Sequence, residues 1–426
     1  RADTSIAIPL LRGAGKRIVT EPLTQAERSL VYAIHDFEEY KRDFAVRVAS
    51  QYLDVLRNLD TIKNAEDNYR SLVTSGRRAR RLYEAGRLPE IQVYQARQDE
   101  LRARTRWITA VASHERSLDN LKITLGLPAD AVISLDRDEL DRLAESARST
   151  VNVEALSGAS AAGVDAAAGQ GTQAQSTDSM VAPVPDDEPD ADEPVVLEGP
   201  TREDAGPYEI DERQAIDLAL ANRLDLRTSI GRLYDAQRKV IVAADALKAG
   251  LNVRAGGSFG EGRSGGSAGS PDAELRPERG MYDANITADL PWERTSQRNS
   301  YRKSIIDYEK AARDLQQTED QVKLDIRNDL RTLMTARESI KIQLVAVSVA
   351  QRRVDSVELF LQAGRAEIRD LLDAQEALVS AQDSLTANLV DYRVATLTLQ
   401  RDMGLLETDE KGLWREYDPA KFKQSQ

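Results

Sequence analysis

Two stretches of the chain, from Thr20 to about Leu82 and from Thr295 to Leu361, contain no Pro after Pro22 and a single Gly, Gly76. Their mixture of Ala, Leu, Arg, Glu and Gln favours helix throughout. A continuous helix of this size is on the order of 100 Å long at 1.5 Å per residue, several times the usual globular element. Apolar residues recur every seven positions. Ile326, Leu333, Ile340, Val347, Val354 and Leu361 form one series, and Leu371, Leu378, Leu385, Tyr392 and Leu399 form another. The first half is less regular, with Leu30, Phe37 and Phe44, then Val48, Val55, Ile62 and Tyr69, then Tyr94, Leu101 and Ile108. A strict step of seven makes the apolar stripe wind slowly around a helix, which must then lie against neighbours in a left-handed coil. An ordinary fibrous coiled coil satisfies this pattern too.

An internal repeat narrows the choice. Ala85-Gly86-Arg87 and Ala363-Gly364-Arg365 stand 278 positions apart, and Ala96 and Ala374, and Gly126 and Gly404, share that offset. Each half reads as a long helix, a Gly-marked reversal and a returning helix. The first repeat, 1–150, holds a strand at 2–10, a long helix at 20–84, a reversal at 85–90 and a returning helix at 91–125. The second, 207–426, holds a helix at 208–248, strands at 251–260 and 281–292 around a Gly-rich loop at 261–280, a long helix at 295–362, a reversal at 363–367, a returning helix at 368–404 and a tail at 405–426. Between them, 151–206 is rich in Ala, Gly, Ser and acids, and too poor in apolar side chains to offset its ordering entropy. It is predicted to be a flexible acidic insertion.

In the strands the period switches to two. Tyr282, Ala284, Ile286, Ala288, Leu290 and Trp292 alternate with Asp283, Asn285, Thr287 and Asp289. Likewise Leu251, Val253 and Ala255 alternate with Asn252 and Arg254, and Thr4, Ile6, Ile8 and Leu10 with Asp3, Ser5 and Ala7. About ten residues suffice for a tilted strand to cross a bilayer with one face apolar and one polar. Tyr282, Ile286, Leu290 and Trp292 are then predicted to face lipid, and Arg254, Asp283, Asn285, Thr287 and Asp289 a wet lumen. A hairpin half-covered by soluble protein would show the same alternation. Three strands cannot close a barrel, and an open edge is not tolerated in lipid. A fourth strand, with a helix before it, is therefore expected upstream of Arg1, and several chains must share one barrel.

Composition supports thin walls over thick cores. The 426 residues include 5 Phe, 3 Trp and 13 Tyr, while 30% are charged. With no Cys and only His35 and His114, disulfides, thiol nucleophiles and Cys- or His-built metal sites are excluded, and neither His sits in a recognisable catalytic spacing. The net charge of -13 argues against nucleic acid as a partner. Ten acids and no Lys or Arg lie in 151–200, so the remainder is nearly balanced.

The order of these elements resembles the TolC-like outer-membrane efflux protein family. The resemblance is carried by Ile8-Pro9-Leu10-Leu11-Arg12-Gly13, by Ala215 to Asn222, by Leu125-Gly126-Leu127-Pro128, and above all by Ala363 to Gln375 with its Ile368-Arg369-Asp370-Leu371-Leu372-Asp373 core. It covers nearly the whole chain outside the insertion. It implies a mainly helical fold with a small membrane β part, in which long antiparallel coiled-coil helices form a trimeric α-barrel continued by a 12-stranded β-barrel shared by the trimer. It further implies a passive exit duct in the outer membrane, its α-barrel in the periplasm, working with a periplasmic adaptor (membrane fusion) protein and an inner-membrane pump or ABC exporter, without cofactor or catalytic chemistry.

By the same resemblance Gly86, Arg87, Gly364 and Arg365 mark the adaptor-docking tip, and Asp370 and Asp373 ring the channel constriction. Taken alone, those two carboxylates, three apart on one helix face, read as solvated charges. Gln92 stands where the family often has a third Asp, Ala366 where it has an Arg, and Leu361 where some members have an aromatic, so the pairs that close the duct in the family are not all present. The competing reading is a coiled-coil scaffold without a channel. A periplasmic adaptor would need globular β domains after its hairpin, and none is visible.

Overall fold

The computed structural model describes residues 2–133, 135–136, 141–142, 144–145, 206, 208–259, 281–290, 292–409 and 414–415. The expected acidic insertion, apart from residue 206, the Gly-rich loop and most of the tail lie outside the described residues. The chain is mostly helical: β1 (Ala2–Pro9), α1 (Lys16–Val19), α2 (Glu21–Glu84), α3 (Glu90–Thr124), α4 (Glu212–Asn222), α5 (Leu224–Asp245), β2 (Gly250–Phe259), β3 (Met281–Asp289), α6 (Thr295–Gln362), α7 (Ile368–Asp402), β4 (Glu407–Thr408) and β5 (Trp414–Arg415). It divides into two units, Arg1–Lys41 with Ile216–Asp325, and Arg42–Ala215 with Ile326–Gln426.

In the first unit β1, β2 and β3 form an antiparallel sheet in that order. Its register places Ile8, Val253 and Ile286 in one row and Ile6, Ala255 and Ala284 in the next. The rows between hold Ala7, Arg254 and Asn285, then Ser5, Gly256 and Asp283. Since directly paired residues share a face, one side of the sheet is apolar and the other polar. Asp283 lies over Gly256, where a Cβ would meet its Oδ1 at 2.5 Å and turn that side chain aside. β3 stops at Asp289, so Leu290 and Trp292, expected on the strand, follow its end. Pro291 between them has no N–H to give a ladder.

The helix expected over 208–248 is instead two helices. Arg223 takes an extended conformation, with φ -67° and ψ 129°. Its guanidinium grips Asp225 at 2.6 and 3.0 Å, while Asp225 Oδ1 accepts the N–H of Leu226 at 2.7 Å. A side chain that takes a backbone donor in this way starts a new helix instead of continuing the old one.

At the far end of α5, Asp245 joins helix to strand. Its carboxylate accepts the Gly13 N–H at 2.7 Å and meets Lys248 Nζ at 2.8 Å. Arg294 Nη1 donates to the carbonyls of Ala246, Leu247 and Lys248, placing a cation at the helix C-terminus where the dipole favours it. The bond from Lys248, then that from Gly13, holds the Asp245 carboxyl below the usual carboxylate range. A depressed acid stabilises the fold fully above its unfolded pKa and loses that contribution as pH falls through the folded value. Unfolding of the full chain followed between about pH 5 and pH 2 should therefore be less pH-dependent in Asp245→Asn than in the parent, and equal slopes would remove Asp245 from the acid response.

In the second unit the heptad positions are the core. Ile326, Leu333, Ile340 and Val354 of α6 are buried, as are Leu371, Leu385 and Leu399 of α7. Ile340 and Leu344 pack with Leu385 and Leu389, and Val354 with Leu371 and Ala374, so the two helices zip along their length. The other hairpin joins them through a cluster of Leu72 and Ala79 on α2, Ala96 and Ala103 on α3, and Ile368 and Leu372 on α7. The irregular stripes of the first half behave differently. Leu30 and Phe37 are about 60% exposed (64% and 59%), and Tyr94, Leu101 and Ile108 are exposed too. No described residue covers those faces.

Candidate functional site

Four helices end in the same way. Gly86, Gly126, Gly364 and Gly404 have φ of +71°, +69°, +71° and +70°, a region in which a side chain is strained. At each, the glycine N–H reaches back three residues and the next N–H five, as in Gly86 to Tyr83 and Arg87 to Leu82, or Gly364 to Leu361 and Arg365 to Phe360. These paired bonds satisfy the last carbonyls of the helix and turn the chain sharply. Arg87 and Arg365 thus sit just past the reversals, with both side chains exposed.

Asp370 and Asp373 open α7, and both are exposed. Their neighbours Leu371 and Leu372 are buried and fix which way the helix faces. The two aspartates are not equivalent. Asp370 Oδ2 accepts the N–H of Glu367 at 3.0 Å, half of a reciprocal cap in which the Glu367 side chain in turn accepts the N–H of residue 370. Asp373 is free of the backbone and lies 3.8 Å from Arg369 Nε, one turn back.

Beside them is a polar cavity of about 280 Å³ that the sequence reading did not single out. Asp99, Arg102 and Arg106 of α3 meet Arg369, Asp373 and Glu376 of α7 there. Arg106 Nη2 donates to Glu376 Oε1 at 2.6 Å, and Arg102 Nη1 to Asp99 Oδ1 at 3.2 Å. Burial pushes the Asp99 carboxyl up, Arg102 opposes that shift, and Glu376 and Asp373 add to it. Its apolar lining comes from Leu72, Ala103 and Leu372, which are buried. Gln92, where a third Asp was missed, buries Oε1 without a hydrogen-bond partner among the described residues. A second groove, about 650 Å³, runs between α2, α6 and α7, with Asp54, Asp329 and Asp391 among hydroxyls of Ser and Thr.

The predicted lumen set, Arg254, Asp283, Asn285, Thr287 and Asp289, shares one face of the sheet, with Asp289 also paired to Arg12 at 2.9 Å. Tyr282 and Ile286 share the other, and both are exposed. Among the described residues no helix is long and apolar enough to cross a membrane.

Long heptad hairpins with Gly-capped reversals accompany a small two-faced sheet, an arrangement shared with solved outer-membrane channels. Residues 215–405, a little under half of the chain, match the family described as outer membrane efflux protein, the family that the sequence resembles. The outer-membrane channel OprN is similar over 94% of this chain and 74% of its own, at 16% identity and a TM-score of 0.66. The Campylobacter jejuni outer membrane channel CmeC matches over 99% and 73%, at 13% and 0.65. The outer membrane protein VceC of Vibrio cholerae matches over 95% and 86%, at 12% and 0.63. At these identities the likeness shows a shared fold. No curated protein matches the chain in sequence.

Proposed function

We propose that the chain is one protomer of a homotrimeric outer-membrane exit duct, coupled through a periplasmic adaptor to an inner-membrane pump or ABC exporter. The observation that carries this reading is the uncovered apolar stripe Tyr94, Leu101 and Ile108 on α3, with Leu30 and Phe37 on α2. Stripes at a step of seven are built for partner helices, and further copies of the chain supply them when the helices close into a ring. The sheet adds a second argument: β1 and β3 are its edges, both of which must be paired before it enters lipid. Three copies sharing a 12-stranded barrel meet that demand, with Tyr282 and Ile286 toward lipid and Arg254, Asp283, Asn285, Thr287 and Asp289 toward water.

In such a ring Asp373 and Asp370 contribute six carboxylates to the narrow end. They repel one another when ionised, attract cations and exclude anions. The protein reconstituted in planar bilayers should conduct, with cations preferred. A monodisperse detergent-free filament without conductance would point to a coiled-coil scaffold instead. Asp373→Asn should weaken the cation preference, and adding Asp370→Asn should weaken it further without uncapping α7, because Asn keeps the acceptor oxygen that Glu367 uses. Unchanged ion selectivity in the double variant would return both residues to the role of solvated helix charges.

A further inference from the structure

The last turns of α2 carry a charge pattern that no described residue answers. Arg77, Arg78, Arg80 and Arg81 occupy four of five successive positions, and Arg87 follows past Gly86. Only Glu84 lies among them. None of the five arginines forms an ion pair with a described residue, although ion pairs are frequent along both hairpins. At 3.6 residues per turn the four helical arginines span an arc of about 160°, and the one position opposite that arc is Ala79. Ala79 is fully buried in the cluster with Leu72 and Ile368. The apolar side of this helix end is therefore spent inside the protein, and its outer side carries four guanidinium groups with Glu84 among them.

The other hairpin is not its copy in this respect. At the offset of 278 positions, Arg77, Arg78, Arg80 and Arg81 correspond to Asp355, Ser356, Glu358 and Leu359. The first hairpin end carries five Arg and one acid, the second two acids and Arg365. The acids that open α7 are already engaged: Asp370 in its cap, Asp373 beside Arg369, and Glu376 with Arg106. Over Arg77–Arg87 and Asp355–Arg365 together, each copy of the chain therefore brings more positive than negative charge. No described residue supplies the counter-charge to Arg77, Arg78, Arg80 and Arg81 of α2.

We propose that the helix end Arg77–Arg87 is a docking surface for a carboxylate-rich protein tip. The proposal rests on the reading above that the reversals face a periplasmic partner, and adds the chemistry of that partner's contact and the hairpin it grips. Guanidinium is suited to the task because its planar fork takes a carboxylate by two bonds at once. A lipid surface is the poorer fit. An interfacial helix needs an apolar face to insert, and here that face is Ala79 and Leu72, already covered.

The test uses the full chain in detergent and fluorescent poly-L-glutamate as the probe. Binding should be present at low salt, weaken at physiological salt, and fall at least about tenfold in the combined variant Arg77→Glu, Arg78→Glu, Arg80→Glu, Arg81→Glu. The corresponding Arg→Gln set, which avoids new repulsion, should fall between that variant and the parent. Reversing Arg298, Arg302 and Lys303, which are also exposed on a long helix, should leave binding unchanged. Undiminished binding in the fourfold reversal overturns the proposal. So does equal binding of phosphatidylglycerol vesicles lost in the same variant, which would make the surface a lipid site. A change in the number of chains per particle on sedimentation would make it a contact between copies, and overturn it too. Conductance measured on the same preparations keeps the two readings apart. A parent that binds poly-L-glutamate but never conducts supports the docking surface and defeats the duct, while a conducting fourfold variant that no longer binds supports both.

Discussion

Replacing Asp235 by Ala should cost about 3–5 kcal/mol of stability, because it leaves charges uncompensated where four groups now converge. Asp235 is 4% exposed. Its Oδ1 meets Arg28 Nε at 2.7 Å and Arg238 Nη2 at 2.8 Å, and its Oδ2 accepts from Tyr32 Oη at 2.7 Å and Gln25 Nε2 at 3.3 Å. Arg238 keeps a second carboxylate, both oxygens of Glu21 at 3.0 Å, so the loss falls mainly on Arg28 and Tyr32. The hydrogen bond from Arg28 to Tyr32, despite opposing burial, raises the Arg28 guanidinium further above its ordinary value, and burial raises the Tyr32 hydroxyl. The approach depends on Gly231, since a Cβ there would meet Tyr32 Oη at 2.5 Å. Urea unfolding of the full chain measures the effect. Asp235→Asn should lose less than Asp235→Ala, as it preserves shape and two bonds. A midpoint for Asp235→Ala within error of the parent would show that water replaces the carboxylate freely.

Arg337→Leu should be comparably damaging. Arg337 is 8% exposed, with Nη1 at 3.1 Å from Glu209 Oε2 and Nη2 at 2.9 Å from Glu338 Oε1. Burial pushes the Glu209 carboxyl up, and Arg337 is the main opposing influence. Removing the cation strands a buried carboxylate, an expected loss of about 3–5 kcal/mol near neutral pH. Replacing both partners, Glu209→Leu with Arg337→Leu, should recover most of that loss, because two apolar side chains leave no buried charge. The sign with pH follows. An acid whose pKa is raised on folding favours the folded state below its unfolded value, and that contribution disappears as pH rises through the raised one. The deficit of Arg337→Leu should therefore shrink toward about pH 4, and a deficit that is flat with pH would mean that lost packing, not stranded charge, causes it.

These two networks were illegible in the sequence, for a physical reason. Arg28, Tyr32, Asp235 and Arg238 have the spacing of any solvated helix charge, and only tertiary structure brings positions some two hundred residues apart into one buried cluster. The heptads of the second half were legible because burial there follows a single periodicity, from Ile326 and Leu333 through Leu385 to Leu399. In the first half the same periodicity marks faces that the described residues leave bare, as at Tyr94 and Leu101. A step of seven specifies a neighbour without saying whose. At the candidate site Asp370 and Asp373 were found through the resemblance, whereas Asp99, Arg106 and Glu376 were not, since nothing local distinguishes an arginine that reaches another helix from one that reaches water. The break at Arg223 was missed because Asp225 reads equally well as a mid-helix surface residue.

The register of the sheet also sets an order of events. α2 with α3, and α6 with α7, pair through chain reversals of a few residues, so their contacts form early and locally. β1 pairs with β2 only after a loop of about 240 residues closes, from Pro9 to Asn252 and on to Ala2 and Phe259. Through most of synthesis, therefore, β1 waits with one apolar face and with the edge that β2 later takes still unpaired, a form of chain prone to stick to others. The nascent protein should depend on a holdase for that strand well before any membrane is reached.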